Sequence, residues 1–173
     1  MLGPAAALAA GLDLSDGAAR ILLLPVVPIC LWVAWSDMAR MKIPNAAVLA
    51  LVAIFVLLGP IALPLPDWGW RWASLAIVLS IGFVLNVIGA LGAGDAKFMA
   101  AAALFVAPGD AGTVAMLLAT MLLAAFATHR LARAIPYVRN RTAGWVSWRS
   151  AKFPMGLALG PTLVLYLALA ALS

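Results

Sequence analysis

Charge is scarce in this sequence, and so is most of what makes a soluble surface. Only 10% of its 173 residues are charged while 66% are hydrophobic, and the mean hydropathy is +1.12. A soluble globular domain is nearer half apolar and a quarter charged, so the composition excludes one and calls for an integral membrane protein. Cysteine occurs once, as Cys30 inside an apolar run. That excludes a disulfide within the chain and any paired-cysteine zinc site, and Cys30 reads as a small packing residue. Repeats and low-complexity segments are missing, apart from alanine-rich helix. Residues 1–11 are apolar but short, lack a basic start and lead into Asp13 and Asp16, so no cleavable signal peptide is expected. Residues 1–17 read instead as a disordered or interfacial leader at the front of one membrane-embedded domain, residues 1–173.

What the chain does have is apolar runs. Residues 18–35, 46–63, 73–91, 96–107, 111–128 and 154–172 are six candidate spans, so the expected fold is all-α, a polytopic bundle of six transmembrane helices. The first span holds Pro25 and Pro28, which a membrane helix tolerates where its neighbours satisfy the freed carbonyls. It ends at Trp32, Trp35 and Ser36, an interfacial signature, and residues 37–45 follow as a polar connection. Asn45 stands where it would cap the second span. Residues 64–72, with Pro64, Pro66, Asp67 and three tryptophans, read as an interfacial loop. The fourth run is the short one. Its 12 residues reach about 18 Å as a helix against a hydrocarbon core of about 30 Å. It must borrow residues from the stretch before it, be buried among its neighbours, or be re-entrant. Residues 129–153 read as a polar segment, with Trp145 and Trp148 on anionic lipid beside their basic neighbours. His129 stands alone there and is not expected to be a ligand. Gly156 and Gly160, four apart, permit close helix approach.

The basic residues orient this arrangement. Nine of the 11 fall in the odd connections: Arg40, Lys42, Lys97, Arg130, Arg133, Arg139, Arg141, Arg149 and Lys152. Only Arg20 and Arg71 fall on the other side. The positive-inside rule then puts the odd connections in the cytoplasm and both termini outside. The acids sort the other way. Asp13, Asp16, Asp67 and Asp110 are expected outside, and only Asp37 and Asp95 inside, each at the cytoplasmic end of an odd-numbered span.

A carboxylate among so many apolar residues is costly and asks for a reason. Two at one membrane depth are the raw material of an aspartyl protease. Two aspartates sharing one proton supply both a base for water and an acid for the carbonyl or leaving amine. Glycines beside one of them let backbone approach a substrate strand and free the turn from Cβ restrictions. Each residue also has a plainer explanation. Asp95 with Lys97 is what a helix start at an interface looks like. Asp37 stands near Arg40 like an ordinary loop acid, Pro44-Asn45 is a common helix entry, and Asn86 fits a helix–helix hydrogen bond. Intramembrane acids also mark ion paths, so a non-enzymatic component, a small transporter or a secretion or pilus-assembly scaffold, stands as the alternative.

Taken together, three strings carry a resemblance. Asp37 followed by Lys42-Ile43-Pro44-Asn45, then Gly92-Ala93-Gly94-Asp95-Ala96-Lys97, then residues 152–160 with Gly156 and Gly160, resemble the type IV prepilin peptidases, membrane aspartyl proteases of the GxGD kind. The resemblance implies that Asp37 and Asp95 are the catalytic pair, that Gly92 and Gly94 shape the site, and that Lys97, Pro44 and Asn45 belong to its surroundings. It implies cleavage of a short basic leader from prepilin or pseudopilin substrates at the cytoplasmic face of a bacterial inner membrane. No cofactor, metal or nucleic acid is called for. Larger members carry a cysteine-bearing zinc insertion in the first cytoplasmic connection and methylate their product. That connection is too short for such an insertion here, so the chain resembles the short branch serving tight-adherence (Flp-type) pili. A presenilin-like protease shares GxGD, but the Ile-Pro-Asn string and the short length favour the pilin enzyme.

Overall fold

The computed structural model describes residue 9 and residues 11–173, and the regular structure among them is entirely helical. In chain order the main helices are α1 (Asp16–Arg40), α2 (Asn45–Ala62), α3 (Leu65–Val87), α4 (Ala93–Ala103), α5 (Ala111–Ala134), α6 (Pro136–Arg141) and α7 (Gly156–Ala170). Short 3-10 turns lie at Pro108–Asp110 and Val146–Trp148. Four helices are long and apolar enough to cross a membrane: α1, α2, α3, and α5 with the turn before it. The fourth and sixth expected spans are the short helices α4 and α7, of 11 and 15 residues. Helix α4 begins inside the glycine motif and buries Ala96, Phe98, Ala100, Ala101 and Ala103. Borrowing from the motif and burial among neighbours thus both occur.

The core is built on α1. Ala18, Leu22, Val26, Cys30, Val33 and Asp37 are all buried on it, a helical stripe of three- and four-residue steps. The stripe faces α7, the helix α1 touches most. Gly160 lets the two close up: a Cβ there would lie 2.7 Å from the carbonyl oxygen of Cys30. The small-residue pair therefore does what its spacing implies. Cys30 is buried beneath this crossing.

Several connections differ from the sequence reading. Helix α1 continues through Asp37 to Arg40, so the first polar connection is only residues 41–44. Met41 ends the helix in the left-handed region at φ 53°, and Ser36 Oγ donates to Lys42 O at 2.9 Å to close the turn. Asn45 is the first residue of α2 and makes no cap; Pro44 holds the cap position. Residues 65–72 are not a loop but the first turns of α3. Prolines at a helix start leave unmade only a bond that would be unmade anyway, so Pro64 and Pro66 open the helix rather than prevent it. Trp68 and Trp72 then pack on Phe55 with centroids at 6.4 and 5.9 Å. Trp70 is left exposed. Asn86 forms no helix–helix bond; its Nδ2 donates to Leu91 O at 2.8 Å, closing the turn that precedes the motif.

Residues 129–153 are not an open polar segment. Trp148 is buried, stacked on His129 at 5.1 Å, and its Nε1 donates to Thr142 Oγ1 at 2.9 Å. His129 is buried between Trp148 and Phe153. The apolar face of this strap outweighed its arginines, which project outward.

At the far end of the bundle, Asp110 is a buried hub. It accepts from the backbone of Asp13 at 2.8 Å and of Leu14 at 3.3 Å, and from Tyr166 Oη at 2.7 Å. Buried Arg71 reaches Leu104 O nearby, at 3.5 Å. Of the leader reading over residues 1–17, residues 1–8 and 10 lie outside the described residues. The part just before α1 is docked, with Leu14 buried and Ser15 accepting from Ala18 N.

Candidate active site

Asp37 is delivered by the stripe that builds the core. It is the next step after Val33, so the face that meets α7 ends in a carboxylate. An acid in the last turn of a helix faces the negative end of the macrodipole. Here α7 supplies the opposite: Asp37 Oδ2 accepts from the Gly156 N–H at 2.7 Å, one of the unpaired N–H groups at the α7 N-terminus. Gly156 has to be small for this, because a Cβ would lie 2.8 Å from Asp37 Cβ and 3.1 Å from Oδ2. Arg40, the neighbour in the plainer reading, instead lies over the Trp35 ring at 5.2 Å. Asp37 is buried and tied to a helix 119 positions away, which an ordinary loop acid is not.

Asp95 sits in the first turn of α4, three residues after the N-cap Gly92. From there its carboxylate turns back toward Gly92. The helix-start reading is therefore true of its geometry, and it leaves the acid half-buried beside exposed Gly92. The two glycines have different jobs. At Gly92 a Cβ would collide with Asp95 Oδ2. At Gly94 a Cβ would lie 3.3 Å from Ile43 Cβ, so this glycine seats α4 against the turn after α1. Neither relieves a strained turn: Gly92 has φ −70°. The positive φ falls on Gly89, at 76°.

These contacts bring the expected residues to one end of the bundle. Asp37 ends α1, Ile43 packs on Gly94, and Lys97 Nζ donates to Asn45 Oδ1 at 3.4 Å across α4 and α2. Pro44 caps α2 beside them. Asp37 and Asp95 thus stand at the same end of the bundle, one buried and one half-exposed. The acids at the other end, Asp13, Asp16 and Asp110, lie at the opposite terminus of α1. No group of three or more metal-ligating side chains occurs among the described residues.

The family model that matches is that of the type IV leader peptidase family, over residues 24–129. That is well over half of the chain and takes in both Asp37 and Asp95. The chain belongs to this family. No curated protein and no solved structure matches it. Membership supports a leader peptidase built on membrane helices. The match stops at His129, so α7 and Gly156 lie beyond it. Gly156 is also the residue the sequence left without a site role. Its signals there were its spacing from Gly160 and its place in the third string, 119 positions from Asp37.

Proposed function

We propose that this member of the type IV leader peptidase family is a membrane aspartyl endopeptidase that removes the short basic leader of prepilin-like substrates. Asp37 and Asp95 act as the pair, at the cytoplasmic face of a bacterial inner membrane, with six spans and both termini outside. The observation that carries the reading is that both acids stand at one end of the bundle, where Gly94 seats α4 on Ile43 just after α1 and the Gly156 N–H donates to Asp37. Close carboxylates resist joint ionisation and share a proton. The ionised member takes a proton from water as the water oxygen attacks the scissile carbonyl carbon, and the protonated member gives its proton to the carbonyl oxygen. Collapse of the resulting diol breaks the C–N bond, and the leaving nitrogen takes up a proton from the pair. Gly156 occupies Asp37 Oδ2, which leaves Oδ1 for the water. Half-exposed Asp95 is the partner a substrate reaches from outside. Gly92 and Gly94 keep the motif low and close, and Lys97 with Asn45 ties α4 to α2.

The experiment is direct. Purified protein incubated with a leader-bearing prepilin yields a product whose N-terminus begins after the leader. Asp37→Asn and Asp95→Asn each lower the rate at least about 100-fold, the usual worth of a positioned acid or base, while inserting normally. Cleavage by purified Asp95→Asn at the parental rate would refute the pair. A non-enzymatic component would show no cleavage at all.

A further inference from the structure

We infer that the apolar groove between α3 and α5 docks the membrane helix that follows the leader in the substrate; this rests on the leader-peptidase reading above. Helices α3 and α5 stand apart, with α4 and α7 beneath them, and the gap is a cavity of about 420 Å³. Ile77 and Val78 of α3, Met99 and Ala102 of α4, and Ala115 and Leu118 of α5 line it. A helix with its side chains is about 10 Å across, so the cavity takes a ridge of side chains rather than a whole helix.

Two observations commit the groove to a helix joined to the cleavage site. The first is its position. Met99 lies one helical turn beyond Asp95 on α4. On α3, Ile77 begins an exposed stripe that continues through Ile81 and Val84 toward the turn before Gly92. These residues are three or four apart and share one face. At Gly82, beside the stripe, α3 lies against Ala96, the residue after Asp95, so a helix laid along the stripe comes level with the carboxylate. The second is residue size. Helix association inside a membrane relies on close packing at small residues, because lipid tails are as apolar as any side chain. The groove sets Ala102 and Ala115 between its larger residues, a surface made for a helix ridge. The leader then lies beyond the end of the groove, and the bond between leader and helix falls at the carboxylates.

The test compares two substrates: a full prepilin, and a soluble peptide holding the leader and only the first residues after it. Ala115 is exposed, so Ala115→Trp fills the groove without breaking the core. The ratio of kcat/KM for prepilin to that for peptide falls at least tenfold in this variant. It stays at the parental value in Leu123→Trp, which puts the same side chain at an exposed position outside the groove. An unchanged ratio in Ala115→Trp overturns the inference while leaving the peptidase reading intact; absence of cleavage in the parental protein overturns that reading instead. A second measurement does not depend on turnover. Ala115→Cys combined with Asp95→Asn cross-links to a cysteine in the prepilin helix through a short bismaleimide. Cross-linking only to a second copy of the peptidase, or to no protein because lipid fills the groove, overturns the inference.

Discussion

Replacing Gly156 by alanine tests how Asp37 is held. The new Cβ would lie 2.8 Å from Asp37 Cβ and 3.2 Å from Cγ. Carbon atoms in contact sit about 3.5–4.0 Å apart, so Asp37 or the α7 terminus moves by about 1 Å. The hydrogen bond at 2.7 Å from Gly156 N–H to Oδ2 is lost or lengthened. A misplacement of about 1 Å in a reacting group costs about 100-fold in rate. We therefore expect Gly156→Ala to lower kcat about 100-fold with KM little changed, measured by prepilin cleavage in detergent. Gly160→Ala is the comparison, on the same helix one turn away. Its Cβ would meet the Cys30 carbonyl oxygen at 2.7 Å, which overpacks the crossing and costs about 1–3 kcal/mol of stability, read as a lower melting temperature. It leaves the Asp37 hydrogen bond in place, so its kcat falls less. Gly156→Ala cleaving within about twofold of the parent, when 1 Å matters about 100-fold, would show that Asp37 needs no such support.

Three further outcomes follow from the geometry. Gly92→Ala drives a methyl into Asp95 Oδ2 and should lose more activity than Gly94→Ala, whose methyl stands 3.3 Å from a side chain of Ile43 that gives slightly; cleavage rates of the two side by side check this. Lys97→Met removes only an exposed 3.4 Å bond to Asn45, so it should keep most of the activity, and a loss as deep as that of Asp95→Asn would place the ammonium in the chemistry. Asp110→Ala orphans two backbone N–H groups and the Tyr166 hydroxyl. Hydrogen bonds to a charged group contribute about 1.5–3 kcal/mol, so thermal unfolding in detergent should come earlier, while the folded fraction still cleaves prepilin.

Local chemistry was enough to announce a membrane helical protein and to single out two acids in it. Hydropathy is summed residue by residue, so α1, α2, α3 and α5 stand out without knowledge of any partner. The GxGD string is read the same way, since Gly92, Gly94 and Asp95 lie within four residues. The short fourth run was visible too, because length alone said it could not cross unaided. Boundaries were harder. Pro64 and Pro66 look like a loop until Phe55 offers Trp68 and Trp72 a face to pack on. Trp148 looks interfacial until His129 stacks on it.

The spacing of Gly156 and Gly160 announced a close helix approach, but which residues pair over long range had no sequence signal. That Asp37 is held by Gly156, that Gly94 seats Ile43, and that Asp110 gathers the leader and Tyr166 all depend on which helices become neighbours. Any apolar face fits a lipid as well as it fits another helix, so hydrophobicity cannot choose among partners. The choice comes from close packing. Gly160 lets α7 approach α1 to backbone contact, and that approach sets the α7 N-terminus beside Asp37.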